Sequence, residues 1–186
     1  MAGAGRAFPQ SHLCRSPFLR FSAGVVRRKE KFGKVIFVTV GTTDFDMLVQ
    51  AMDEIASCLS EEVVAQIGQG RYIPKHCRYF RFAPTLEPYY QQARVVVSHG
   101  GLGTIMEVLS HRKKLISVAN PDRYDDHQRD LLQVMDSHHH LIWCRSVQHL
   151  QDIFANLDSY TLLPYQEPEC TIAAKIEQFL QRRGAM

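Results

Sequence analysis

The sequence predicts an α/β protein with a doubly wound, parallel, Rossmann-like sheet. Short β-branched and aliphatic runs, such as Val35-Ile36-Phe37-Val38 and Val95-Val96-Val97, read as strands covered on both faces. Between such runs lie segments with apolar residues at helical spacing, so that strands and helices alternate roughly six times. Glycines and hydroxyl residues gather where the strands end, which is where open α/β sheets bind their ligands.

Taken in order, Lys34 to Val40 reads as the first strand, and Gly41-Thr42-Thr43 as its turn. Asp44 is placed to cap a helix to about Leu59, because Phe45, Leu48, Val49, Met52, Ile55, Ala56 and Leu59 recur at helical spacing. Val63 to Ile67 forms a second strand ending in Gly68-Gln69-Gly70, and Arg78 to Phe82 a third. Ala83-Pro84-Thr85 leads to a short helix, Leu86 to Gln92. Arg94 to Ser98 is the fourth strand, and Leu102 to Ser110 its helix. Lys114 to Ala119 is the fifth strand, closed by Asn120-Pro121. A helix follows over Asp125 to Met135, then a strand over Leu141 to Cys144, then helices near 147–157 and 171–182.

Composition bounds the function. The chain has 186 residues, 45% hydrophobic and 22% charged, which suits one globular domain. No run approaches the ~20 apolar residues of a membrane span. The net charge of +3 hides an asymmetry: residues 1–34 carry eight Lys/Arg and one acid, whereas the rest carries 14 basic and 18 acidic residues. An acidic body argues against nucleic acid as a partner. The division is therefore a basic extension, 1–33, and a domain, 34–186. Three readings stand for the extension: a disordered tail, a patch for anionic lipid, or an organelle transit peptide. Five cysteines without CxxC spacing argue against a disulfide framework or zinc site and fit a reducing cytoplasm.

The most informative segment is Ser98-His99-Gly100-Gly101-Leu102-Gly103-Thr104, followed by Glu107. A strand, a glycine turn and a helix start present backbone amides and a partial positive charge to an anion. Glu107 lies about one helical turn beyond Gly103, in reach of a diol such as a ribose. Tight packing alone is the other reading of the glycines. The segment fits neither a dinucleotide fingerprint, since Met106 stands where a small residue is expected, nor a Walker loop. Gly41-Thr42-Thr43 offers amides and hydroxyls at the same rim, or simply caps a helix. Phe82 is either core or a platform for a base, with the main chain of Ala83 reading the base edge. His127 and Gln128 begin a helix and can hold sugar hydroxyls, with Asp125 or Asp126 as a plain cap. His138-His139-His140 reads as a surface loop, because adjacent side chains on an extended segment diverge. No metal is expected.

Val35 to Thr43 with Phe45-Asp46, then Gln66-Ile67-Gly68, then Ser98 to Thr104, then Asp126-His127-Gln128 form an ordered set. It resembles the glycosyltransferase family 28 C-terminal domain over about residues 34–180. It is most similar to the small stand-alone versions: PssE-type subunits of bacterial exopolysaccharide and capsule glycosyltransferases, and the eukaryotic catalytic subunit type that adds N-acetylglucosamine to a dolichol-linked acceptor. The resemblance implies the C-terminal, donor-binding half of a GT-B enzyme. Gly41, Thr42, Thr43, Gly100, Gly101, Gly103 and Thr104 would then face the diphosphate of a UDP-sugar, with Gln66, Gly68, Ser98 and His99 also among the donor-binding residues. Phe82 and Ala83 would meet the uracil, Glu107 the ribose, and His127 and Gln128 the donor sugar. The UDP-sugar is a substrate, and no cofactor is implied. A membrane-anchored, Rossmann-like partner of the PssD type would supply the acceptor site for a lipid-linked glycan. It would also hold the chain at the cytoplasmic face of the membrane.

The implied chemistry is a hexosyl transfer with inversion at the anomeric carbon, in which backbone amides stabilise the departing diphosphate. The acceptor hydroxyl needs a general base. His99 is the titratable group inside the glycine turn, and the partner half is the other source. Two other classes stand beside this reading: a non-catalytic sugar-nucleotide-binding or regulatory module, and an NAD-dependent oxidoreductase, which the glycine spacing disfavours.

Overall fold

Alternation along the strands decides how the sheet is covered. In β1 (Val35–Thr39), Ile36 and Val38 turn to one face and Phe37 to the other, and all three are fully buried. The computed structural model describes residues 35–121, 127–169 and 171–184. After β1 come α1 (Asp46–Ala56), β2 (Glu62–Gln66), β3 (Arg78–Phe80), α2 (Glu87–Gln92), β4 (Ala93–His99), α3 (Leu102–Ser110) and β5 (Lys114–Val118). The chain continues through α4 (His127–Ser137), β6 (Ile142–Cys144), α5 (Leu150–Ala155) and α6 (Ile172–Gly184). The six strands are all parallel, in the order β3-β2-β1-β4-β5-β6. The order reverses between β1 and β4, so the carboxyl ends of these two neighbours flank a crevice.

Each face has its own core. Leu48, Val49 and Met52 of α1 and Leu150 of α5 pack with Ile36, Val38, Val95 and Val97. Tyr90 of α2, Ile105 and Val108 of α3 and Leu132 of α4 pack with Phe37, Val96 and Leu115 on the opposite face. The predicted doubly wound α/β architecture is thus the observed one.

Several boundaries differ from expectation, for local reasons. Asp44 does not cap α1. Phe45 holds that position and is buried, fixing the entry of the helix by packing, while Asp46 in the first turn accepts the Arg71 amide at 2.9 and 3.1 Å. The third strand stops at Phe80, two residues early, where the Ile67 amide makes the last bond to the Phe80 carbonyl. The next residue, Arg81, turns its guanidinium to the carbonyls of Gly68 and Gly70, at 3.1 and 2.9 Å. The expected caps Asp125 and Asp126 lie outside the described residues, as do the extension 1–33 and Lys34.

The three histidines terminate α4. His139 adopts a left-handed conformation (φ 58°), its amide bonds to the Asp136 carbonyl, and the His140 amide bonds to the Met135 carbonyl, which is a Schellman-type close. Arg112 (φ 53°) ends α3 in the same way. Asp53 on α1 is a charge sunk into the fold, 1% exposed. It accepts the amides of Lys75, His76 and Cys77 at 2.7–2.9 Å and the Tyr72 hydroxyl at 2.8 Å. Burial pushes its carboxyl up, but these four donors outweigh burial and bring it down to about 2. No helix among the described residues is long and apolar enough to cross a membrane.

Candidate functional site

The switch point is built from loops pressed together closely enough to require glycine. Gly41 follows β1 with φ 65°, and a Cβ there would lie 3.0 Å from His99 Cε1. Gly68 follows β2 with φ 52°, and a Cβ there would collide with the Thr43 carbonyl oxygen. The Gln69 amide ties this loop to the same carbonyl at 3.0 Å. A Cβ on Gly101 would run into His99 Nε2. The His99 ring, 8% exposed, is therefore wedged between the β1 and β4 loops. Gly100 lets α4 approach, since a Cβ there would meet Gln128 and Leu132 side-chain atoms at 3.1–3.2 Å.

Gly103 differs from the other glycines. A Cβ there would meet nothing within 4 Å. It is exposed in the first turn of α3, where glycine carries a helix-propensity penalty and no packing contact rewards it. The first bond within α3 runs from the Ile105 amide to the Gly101 carbonyl, so the amides of Leu102, Gly103 and Thr104 precede the ladder and form its positive end. Glu107 stands exposed one turn along, on the same helical face as Gly103.

The rest of the expected set divides. Gln66 and Ser98 do not present their side chains at the rim. Both are buried; Gln66 Oε1 accepts from Thr39 Oγ1 at 2.6 Å, and Ser98 Oγ donates to the His99 carbonyl at 2.9 Å. Their alternate-facing strand positions turn them under the loop. Thr39 Oγ1 in turn accepts the Gly41 amide at 3.1 Å, so Gln66 supports the glycine turn from below. Thr43 Oγ1 donates to the Val40 carbonyl at 2.9 Å, which leaves the exposed Thr42 as the free-standing hydroxyl of that loop. Gln128 Oε1 accepts the Asn120 amide at 3.0 Å, which directs its NH2 group away as a donor. His127 is exposed at the start of α4.

Phe82 is not core: it is 55% exposed in the loop after β3. Ala83 is not gathered with the glycine turns. It lines a cleft of about 370 Å3 with Val35, Glu62 and Arg78, which begin β1, β2 and β3 at the amino edge of the sheet. Asn120, just after the fifth strand, has a bridging role that its position alone does not specify. Its Nδ2 donates to the Asp44 carbonyl at 3.0 Å, joining the loop after β5 to that after β1. The Asn-Pro step at a strand end is its sequence signal. Among the described residues no group of three or more His, Cys, Asp or Glu side chains is placed to hold a metal.

A rim of backbone amides, one helix N-terminus, a hydroxyl and a carboxylate can hold a phosphorylated diol. The glycosyltransferase family 28 C-terminal domain matches residues 35–178. The UDP-N-acetylglucosamine transferase subunit ALG13 of Homo sapiens is 32% identical over 124 residues, 60% of this chain, and the chain spans only 11% of that protein's length. Among solved structures, MurG of Acinetobacter baumannii superposes with a TM-score of 0.57 at 17% identity, over 70% of this chain and 42% of that one. The solution structure of ALG13 gives 0.54 at 17% identity, over 74% of this chain and 92% of that one. At these identities the structural likeness establishes the fold.

Proposed function

This chain belongs to the glycosyltransferase family 28 C-terminal domain family, and from that premise we propose that it is the donor-binding half of a UDP-sugar-dependent glycosyltransferase. The observation that carries the reading is Gly103, a glycine that the fold does not require, set on the amide-rich end of α3 at the β1/β4 switch point. In this reading the diphosphate lies on the amides of Leu102 to Thr104 and against the Gly41–Thr43 loop, where a helix N-terminus favours an anion by up to ~2 kcal/mol. Glu107 accepts from the ribose, Phe82 stacks on the uracil, and Gln128 donates to the sugar. N-acetylglucosamine is the proposed sugar, since the human relative is named for its transfer.

The acceptor hydroxyl attacks the anomeric carbon, the bond to the diphosphate oxygen breaks with inversion, and UDP leaves carrying the charge that the amides stabilise. A second subunit is proposed to bring the lipid-linked acceptor and hold this chain at the membrane. The wedged position of His99 supports assigning the general base to that subunit and gives His99 a packing role. The same position also favours a second reading, a sugar-nucleotide-binding module without catalysis of its own.

Calorimetry on the full chain tests the donor assignment. UDP and UDP-N-acetylglucosamine are expected to bind competitively and NAD not to compete. Tight NAD binding without UDP competition overturns the assignment. Sugar transfer to lipid acceptor when the chain is added to membranes holding the second subunit separates the enzyme from the module.

A further inference from the structure

The carboxylate assigned to the ribose is not a loose surface side chain. Tyr90 on α2 donates its hydroxyl to Glu107 Oε2 at 3.0 Å. The Tyr90 ring is 2% exposed and held from two sides: edge-on against Phe37, with centroids 5.7 Å apart, and tilted on His111 at 5.3 Å. His111 is itself fixed, its Nε2 lying 2.8 Å from Glu87 Oε2. A buried phenol thus grips one oxygen of an exposed glutamate from a rigid base. Burial and the Glu107 charge both raise the Tyr90 hydroxyl's pKa, so it remains a donor.

Glu107 sits one turn from Gly103 on the same face of α3, so a ligand phosphate at the helix end brings its sugar to this carboxylate. With Oε2 committed to Tyr90, Oε1 is the oxygen left to accept from a sugar hydroxyl. We propose that Tyr90 is a positioning residue that orients Glu107 and thereby sets the preference of this site for a ribonucleotide over a 2′-deoxyribonucleotide. The proposal rests on the assignment of Glu107 to the ribose.

The test is the ratio of affinities for UDP and 2′-deoxy-UDP, measured by calorimetry on the full chain. The unaltered protein is expected to prefer UDP about tenfold or more, the size of a lost hydrogen bond to a charged group. Tyr90→Phe is expected to weaken UDP roughly five- to tenfold and 2′-deoxy-UDP less, shrinking the preference. Glu107→Ala removes the preference, and adding Tyr90→Phe to it causes no further change in the ratio. A merely structural Tyr90 would not move a ratio taken on one folded population, even if the variant melts earlier. If Glu107→Ala loses the preference and Tyr90→Phe keeps it, the inference is overturned while the ribose assignment stands. If Glu107→Ala keeps the preference, the ribose assignment falls and the inference falls with it.

Discussion

Asp53→Ala is expected to destabilise the fold by about 3–5 kcal/mol, the range reached when a buried hydrogen-bonding network is broken. The carboxylate ties α1 to the 72–77 segment through three amides and the Tyr72 hydroxyl. That segment delivers the chain to β3, so the loss is felt across the edge of the sheet. Asp53→Asn keeps the shape but turns an amide NH2 toward groups that only donate, and it is expected to cost nearly as much.

The pH dependence has a definite sign. The Asp53 carboxyl lies at about 2 in the folded chain against an ordinary 3.8. A depressed carboxyl stabilises above its unfolded value and loses that contribution as pH falls, here between about 4 and 2. The gap corresponds to about 2 kcal/mol. Tyr72 behaves in the mirror sense: its bond to Asp53 pushes it up to about 12, so its contribution fades as pH rises from about 10 to 12. The stability gap between the unaltered chain and Asp53→Asn, followed by urea titration from pH 7 to 2.5, is expected to narrow in acid by up to about 2 kcal/mol. A gap that stays constant with pH would refute the charge-based account.

Gly103→Leu is the second large effect, and it separates binding from folding. The added side chain enters open space, and leucine is the better helix former, so stability is expected to hold or rise by up to ~1 kcal/mol. The same side chain covers the amides that receive the diphosphate. UDP affinity is expected to fall at least a hundredfold, roughly 3 kcal/mol or more. By contrast, adding a Cβ at Gly68 or Gly101 meets the Thr43 carbonyl or the His99 ring, so those variants would confound folding with binding. Thermal melts paired with UDP calorimetry check the separation. A stable Gly103→Leu that binds UDP normally would remove the helix end from the site.

The sheet was legible because β-branched runs and helical spacing are local signals. The rim was legible because glycines mark its turns, and Gly41, Gly68, Gly100 and Gly101 do lie where loops touch. The misplacements come from strand alternation and from contacts distant in sequence. Gln66 and Ser98 read as rim residues by position, but strand alternation turned them to Thr39 and to the neighbouring strand's Ser117. Asp53 has no local signal of its role, because the amides it accepts lie 22 to 24 residues on. Tyr90 carries no signal of its role in the sequence, because its hydroxyl's partner lies 17 residues away on another helix. The end of α4 falls two residues later than expected, because His139, not glycine or asparagine, takes the left-handed position that closes it.

If one nucleotide diphosphate occupies the β1/β4 switch point, amide mapping during a UDP titration of the full chain will place it there. Perturbations are expected at Gly41 to Thr43, at Leu102 to Thr104 and at Glu107, saturating together with a single affinity. Perturbations confined instead to Val35, Arg78 and Tyr89, around the cleft at the amino edge of the sheet, would contradict it.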